Sequence, residues 1–231
     1  MKEKIKFIAQ TDHVWMVRDK PFPAAKKMPQ SWKDMPKYAN ESNKFDSVES
    51  ISVKSCIPVL DMLTAGYYMP LWADCIVKQD NGFPFIKWSV DQNVFGTWSS
   101  DQVSNFEIDE NYSNLVFKYY HGWTIKTPPG WSCLFISPVA YPNLPFRAIS
   151  GIVDTDVLDG EINTPIIFKK DFEGIIEKGT PMFQIIPFKR SHWESEFDFK
   201  KPGQHYVDME KLYSKIIRAY GLLIKDKKIY R

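Results

Sequence analysis

Asp154, Asp156 and Asp159 place three carboxylates within six residues, bracketed by Gly151 and Gly160. Like charges this close repel one another unless a cation, a basic partner or water screens them. A carboxylate at a strand end that faces a phosphate chain can take a proton from a water attacking phosphorus, while Mg²⁺ screens the phosphate charge. The same residues can equally form a solvated turn whose side chains bond to their own backbone. The spacing alone leaves both open.

Other reactive types are sparse. His13, His121, His192 and His205 form neither a His-x-His pair nor a His-Glu-x-x-His motif, so iron and zinc sites of those kinds have no support. His121 precedes Gly122 and reads as a turn or packing residue before it reads as a base. Cys56, Cys75 and Cys133 are three in number and lie far apart, which excludes a disulfide framework and points to small buried side chains. No phosphate-binding glycine loop, dinucleotide fingerprint or nucleophile elbow is present. Residues 188–193, Phe188-Lys189-Arg190-Ser191-His192-Trp193, mix cations with rings that can stack on bases. The basic residues 225–231 form a second cluster able to neutralise phosphates, but a strand end with a snorkelling Lys-Arg pair and an ordinary charged tail is the favoured reading of both.

The elements that must carry these groups are mainly strands. An aromatic fraction of 15% with 16 prolines favours β structure interrupted by many turns. Strands are predicted over residues 5–9, 14–18, 52–57, 67–78, 84–90 and 94–98, and almost continuously from 115 to 190. The Gln79-Asp80-Asn81-Gly82 run predicts a hairpin turn. The prolines of residues 21–36 exclude a central strand and predict an ordered surface arm pinned by Trp32. Pro58 at a first helical position and Gly66 at the end predict a short helix between them. Val207, Leu212, Ile216, Ile217, Tyr220 and Leu223 recur at helical spacing, so a C-terminal helix is predicted over 204–223. Most of the eight tryptophans should be core, one or two being free to line a groove.

From Gly122 to Arg190 the chain resembles a dUTPase. The residues that carry the resemblance are Thr127-Pro128-Pro129-Gly130 at a Pro-x-Gly turn and Ile136-Ser137-Pro138-Val139-Ala140 at an Arg-Ser-Gly-x-Ala motif. The series from Gly151 to Ile162 matches Gly-x-Ile-Asp-x-Asp-Tyr-x-Gly-Glu-Ile, and Lys178-Gly179 precedes Gln184 as the family's Lys-Gly turn precedes a glutamine. The resemblance implies a β-clip barrel over 115–190, with 1–114 as an N-terminal β-rich extension of one single domain. It implies Asp154 as the general base, Ser137, Asp156 and Gln184 as ligand-binding residues, a possible Mg²⁺, and a homotrimer with sites between subunits.

Four departures fall on ligand-contacting parts of that pattern. Ile136 replaces the arginine, removing a bidentate phosphate partner. Val157 replaces the tyrosine, with one residue added to the hairpin. Pro138 replaces a glycine and has no N–H to donate. The glycine-rich closing arm is absent from residues 193–204. A second resemblance, carried by Pro29 and Trp32, by Asp61, Thr64, Gly66 and Tyr67, by Pro70-Leu71-Trp72-Ala73-Asp74 and by residues 179–187, is to a family of uncharacterised phage-encoded proteins. Two expectations follow: a divergent dUTPase-like protein that binds a nucleotide or phosphate ligand without implied hydrolysis, or a non-catalytic phage structural, assembly or partner-binding protein. A net charge of +2 argues against bulk attraction to nucleic acid or to a membrane surface. The first ten residues lack a signal-peptide core and no run spans a bilayer, so the expected location is the cytoplasm of a bacterial or phage-infected cell.

Overall fold

Alternation of buried and exposed residues along short strands is what two-sided β structure requires, and the computed structural model shows it repeatedly. It describes residues 3–9, 19–38, 52–81, 83–199, 201, 203–204 and 206–207. Fourteen strands occur among them: β1 (Lys6–Ala9), β2 (Phe22–Pro23), β3 (Tyr67–Pro70), β4 (Cys75–Asp80), β5 (Phe83–Trp88), β6 (Phe95–Thr97) and β7 (Tyr112–Tyr119), then β8 (Trp123–Lys126), β9 (Trp131–Ile136), β10 (Phe146–Ala148), β11 (Gly151–Val153), β12 (Thr164–Lys169), β13 (Gly174–Ile176) and β14 (Pro181–Lys189). Two short helices accompany them, α1 (Gln30–Asp34) and α2 (Ile57–Thr64). No helix among the described residues is long and apolar enough to cross a membrane.

The strands form four antiparallel sheets, in the orders β1-β8, β10-β12-β7-β6, β11-β9-β14-β3-β2 and β13-β4-β5. The chain divides into two compact units, one of Met1–Pro29 with Leu63–Arg190 and one of Gln30–Met62 with Ser191–Arg231. All fourteen strands belong to the first. Its core gathers aromatic rings: Phe95, Phe117 and Phe168 meet edge to face at 5.3–6.3 Å, and Phe183 packs at a tilt against Phe135 and His121. Such pairs add about 0.5–1.5 kcal/mol each beyond the area they bury.

Several sequence expectations take particular form here. The hairpin predicted at residues 79–82 joins β4 to β5, with Asn81 at φ 50° in the left-handed region that asparagine tolerates. The stretch predicted as one strand over 67–78 breaks at Leu71–Asp74 into β3 and β4, which enter different sheets. The strand predicted over 52–57 is corrected: Val53–Ser55 is a 3₁₀ turn, closed by Cys56 N–H donating to the Val53 carbonyl at 2.9 Å. Within that second unit the Lys54 ammonium donates to the carbonyls of Lys33, in α1, and Met35, just past its end, offering a cation to the negative end of the helix. The proline-rich stretch 21–36 supplies β2 at a sheet edge, where a missing N–H costs no ladder bond, and then α1. The strand predicted over 14–18 and nearly all of the helix predicted over 204–223 lie outside the described residues.

Candidate functional site

β9 and β11 pair so that Val153 faces Cys133, and the chain then leaves the sheet with Asp154 beside Ser132. Ser132 Oγ donates to Asp154 Oδ1 at 2.6 Å. β14 lies on the other side of β9 and ends at Lys189, opposite Trp131, so the next residue, Arg190, arrives at the same place. Its guanidinium reaches Asp154 Oδ1 at 3.1 Å and grips Asp156 with two N–H groups, one of them 2.8 Å from Oδ1. Asp156 Oδ2 also accepts the Gly130 N–H at 2.7 Å. Gly130 stands at φ 83°, in the Pro-x-Gly turn that leads into β9, and this conformation turns its N–H towards the hairpin.

The electrostatics of the cluster follow from this cage. The Arg190 hydrogen bonds, helped by the Gly130 N–H, hold the Asp156 carboxyl down at about 2. Asp156 raises the Arg190 guanidinium in return, with Asp154 adding to the effect. The two carboxylates differ sharply in access: the Asp156 side chain is 6% exposed and that of Asp154 60%. The third, Asp159, points elsewhere and pairs with Lys126 Nζ at 3.2 Å. The repulsion read from the sequence is therefore relieved by two cations of the protein itself.

Ser137 and Gln184 lie away from this cluster. Ser137 is five residues past Ser132 along the β9 direction, roughly 17 Å at ~3.4 Å per residue. Its hydroxyl accepts the Ala148 N–H at 2.9 Å and donates to the Ala148 carbonyl at 3.3 Å, tying the end of β9 to β10. Gln184 is fully buried in β14. Its amide nitrogen donates to the Ala65 carbonyl at 2.7 Å and its oxygen accepts the Val139 N–H at 3.2 Å. Within one chain, then, Asp154 and Asp156 come together, while Ser137 and Gln184 act at other places on the sheet as backbone brackets.

The residues that complete the cluster are Arg190, Ser132 and Gly130. Arg190 is visible in the sequence as part of a basic and aromatic run, yet nothing local links it to carboxylates more than thirty residues earlier. Only the β9–β14 register makes that link.

These residues do not fit a protein-held Mg²⁺. Asp154 and Asp156 face a guanidinium and Asp159 an ammonium. Among the described residues no three His, Cys, Asp or Glu side chains gather as ligands. Of the three cysteines expected to be buried, Cys75 and Cys133 are, while Cys56 is exposed. Burial pushes the Cys75 thiol up to about 12 and the Cys133 thiol to about 11, leaving neither as thiolate at neutral pH. His121 is buried and neutral, its imidazole driven down to about 3 by burial, with the Ile162 backbone acting in the opposite direction. Its Nδ1 accepts the Trp123 N–H at 3.1 Å.

Comparison with known proteins adds no relative: no protein-family model matches the chain, and no curated protein matches it.

Proposed function

We propose that this chain is a non-catalytic protein that uses a divergent, dUTPase-like β-clip barrel for partner binding, in the structure or assembly of a phage. One observation carries the reading. Three of the four side chains expected to hold a ligand, Asp156, Ser137 and Gln184, already spend their hydrogen-bonding groups on the protein's own backbone and on Arg190. A buried or caged polar group released to a ligand gives up those bonds, at about 1–3 kcal/mol each. The departures at Ile136, Pro138 and Val157 remove the groups that could offset this. Cytoplasmic residence in a bacterial or infected cell belongs to the same reading.

A second reading keeps a nucleotide or phosphate ligand, and Asp154 favours it. Both of its contacts go to Oδ1, and its side chain is the exposed member of the pair. In a homotrimer with sites between subunits, as the resemblance implies, the Asp154 end of β9 and the Ser137 end would serve a site from different chains. Pyrophosphate release from dUTP and the other deoxynucleoside triphosphates, with Mg²⁺ present, tests the hydrolytic form of the second reading. We expect the rate with protein to equal that of the Asp154→Asn variant. A faster rate that Asp154→Asn removes would replace the first reading by the second.

A further inference from the structure

Where β7 begins and β12 ends, the β10-β12-β7-β6 sheet borders a cleft of about 540 Å³. Asp109, Tyr112, Arg147, Lys169, Asp171 and Phe172 line it, all of them in the first unit and none of them part of the acidic hairpin. Its frame is hydrogen-bonded backbone. Tyr112 N–H donates to the Asp109 carbonyl at 2.9 Å, Lys170 N–H to the Asn111 carbonyl at 3.0 Å and Lys169 N–H to the Pro145 carbonyl at 2.9 Å, so three segments of chain are tied to one another. The β12–β7 register shifts between Ile167 and Lys169, and this irregularity brings Lys169 opposite Tyr112. A cleft framed in this way exists before any ligand arrives, and its size falls within the roughly 300–1,000 Å³ of small-molecule sites.

The charges around it are mixed and do not close on each other. Arg147 and Lys169 bring two cations, Asp109 and Asp171 two carboxylates, yet among the described residues no ion pair joins any of them. Two of the four are held in place by neutral groups. The Arg147 guanidinium lies over the Tyr112 ring, 5.6 Å from its centre. Asp109 Oδ1 accepts the Asn111 N–H at 2.9 Å and the Asn111 side-chain amide at 2.8 Å. Those bonds hold the Asp109 carboxyl below the ordinary carboxylate range, and the Arg147 charge adds to the effect.

Such a mixture selects by repulsion as well as by attraction. A polyanion such as a nucleoside triphosphate meets two carboxylates, and a simple cation meets a guanidinium and an ammonium. A small ligand with one group of each sign meets a partner for both. Phe172, half-buried and packed against the core, adds an apolar wall for the rest of the molecule. We infer that this cleft binds a free α-amino acid with an apolar side chain, its carboxylate on Arg147 and Lys169, its ammonium on Asp109 and Asp171, and its side chain against Phe172. The site shares no residue with the acidic hairpin, so it stands or falls separately from the partner-binding function.

Calorimetric titration of the full chain with L-phenylalanine, with L-leucine and with their analogues lacking either the ammonium or the carboxylate tests this. The wild type should bind at least one of the two amino acids saturably, and both of its analogues at least about tenfold more weakly. Arg147→Met should weaken the amino acid at least about tenfold and leave the analogue without a carboxylate unchanged. Asp109→Asn, which keeps the oxygen that Asn111 bonds, should weaken the amino acid and spare the analogue without an ammonium. A folding defect would weaken amino acid and analogues together. Lys87→Met, on β5, should leave all binding unchanged. No saturable binding of either amino acid at concentrations on the order of 10 mM would overturn the site. Analogues that bind as tightly as the parent, or equal losses for parent and analogues in the two variants, would overturn the assignment of its charges.

Discussion

Arg190 decides the character of the acidic hairpin, because one guanidinium serves two carboxylates that would otherwise repel. The depressed carboxyl of Asp156 makes this testable by pH. A carboxyl lowered on folding contributes stability that is present above its unfolded value, 3.8, and is lost as pH falls towards about 2. Asp156→Asn should therefore flatten the acid-unfolding curve between about pH 4 and pH 2. In Arg190→Met the Asp156 carboxyl should titrate back towards 3.8 when followed by NMR. His121 has the opposite charge type and an independent window. Its imidazole is lowered from 6.5 to about 3, so the unfolded chain takes up a proton that the folded chain refuses. Stability should be complete above about pH 6.5 and fall by about 1.4 kcal/mol per pH unit below it, until pH 3. His121→Phe should remove that slope in urea melts recorded across the range. These two titrations were only partly legible in the residues. The crowding of Asp154 and Asp156 is plain in the sequence, whereas their relief by Arg190 depends on a register between β9 and β14 that no local pattern encodes.

Among the elements, the closure of α2 into β3 shows how a single backbone position fixes a strand. Gly66 lies at φ 65°, and a Cβ there would sit 1.9 Å from the Ile185 carbonyl oxygen in β14. Gly66→Ala should cost at least about 2 kcal/mol, since both the left-handed backbone and the contact oppose it. Gly130→Ala has the same sign of φ with nothing within 4 Å, so only the conformational cost of about 1–2 kcal/mol should appear. Thermal melts of the two variants give the comparison. Gly66 was readable in advance, because a proline start and a glycine stop frame a helix between Pro58 and Ala65. The β4–β5 hairpin was readable from its turn residues for similar reasons. Residues 52–57 were not: their apolar and small side chains match a strand, but the lysine among them reaches the carbonyls of α1 and its end, and the segment closes as a turn. The near-continuous strand signal over 115–190 also misleads, since β10 and β11, only two residues apart, pair with β12 and β9 in separate sheets. Which sheet a strand joins is a tertiary outcome, and alternation of side chains carries no information about it.

At the scale of the molecule, a β framework with a shared aromatic core supports an acidic hairpin that neutralises itself. The self-neutralised hairpin is the feature on which the proposed absence of a phosphate ligand rests. The most direct test of the central claim is a thermal-shift series over all deoxy- and ribonucleotides, with and without Mg²⁺, on the wild type and Asp154→Asn. A specific ligand at a hundred times its dissociation constant would stabilise the fold by about 2.7 kcal/mol. The account predicts no selective shift for any nucleotide in either protein. A shift confined to one nucleotide and absent from Asp154→Asn would contradict it and place a working ligand site at the hairpin.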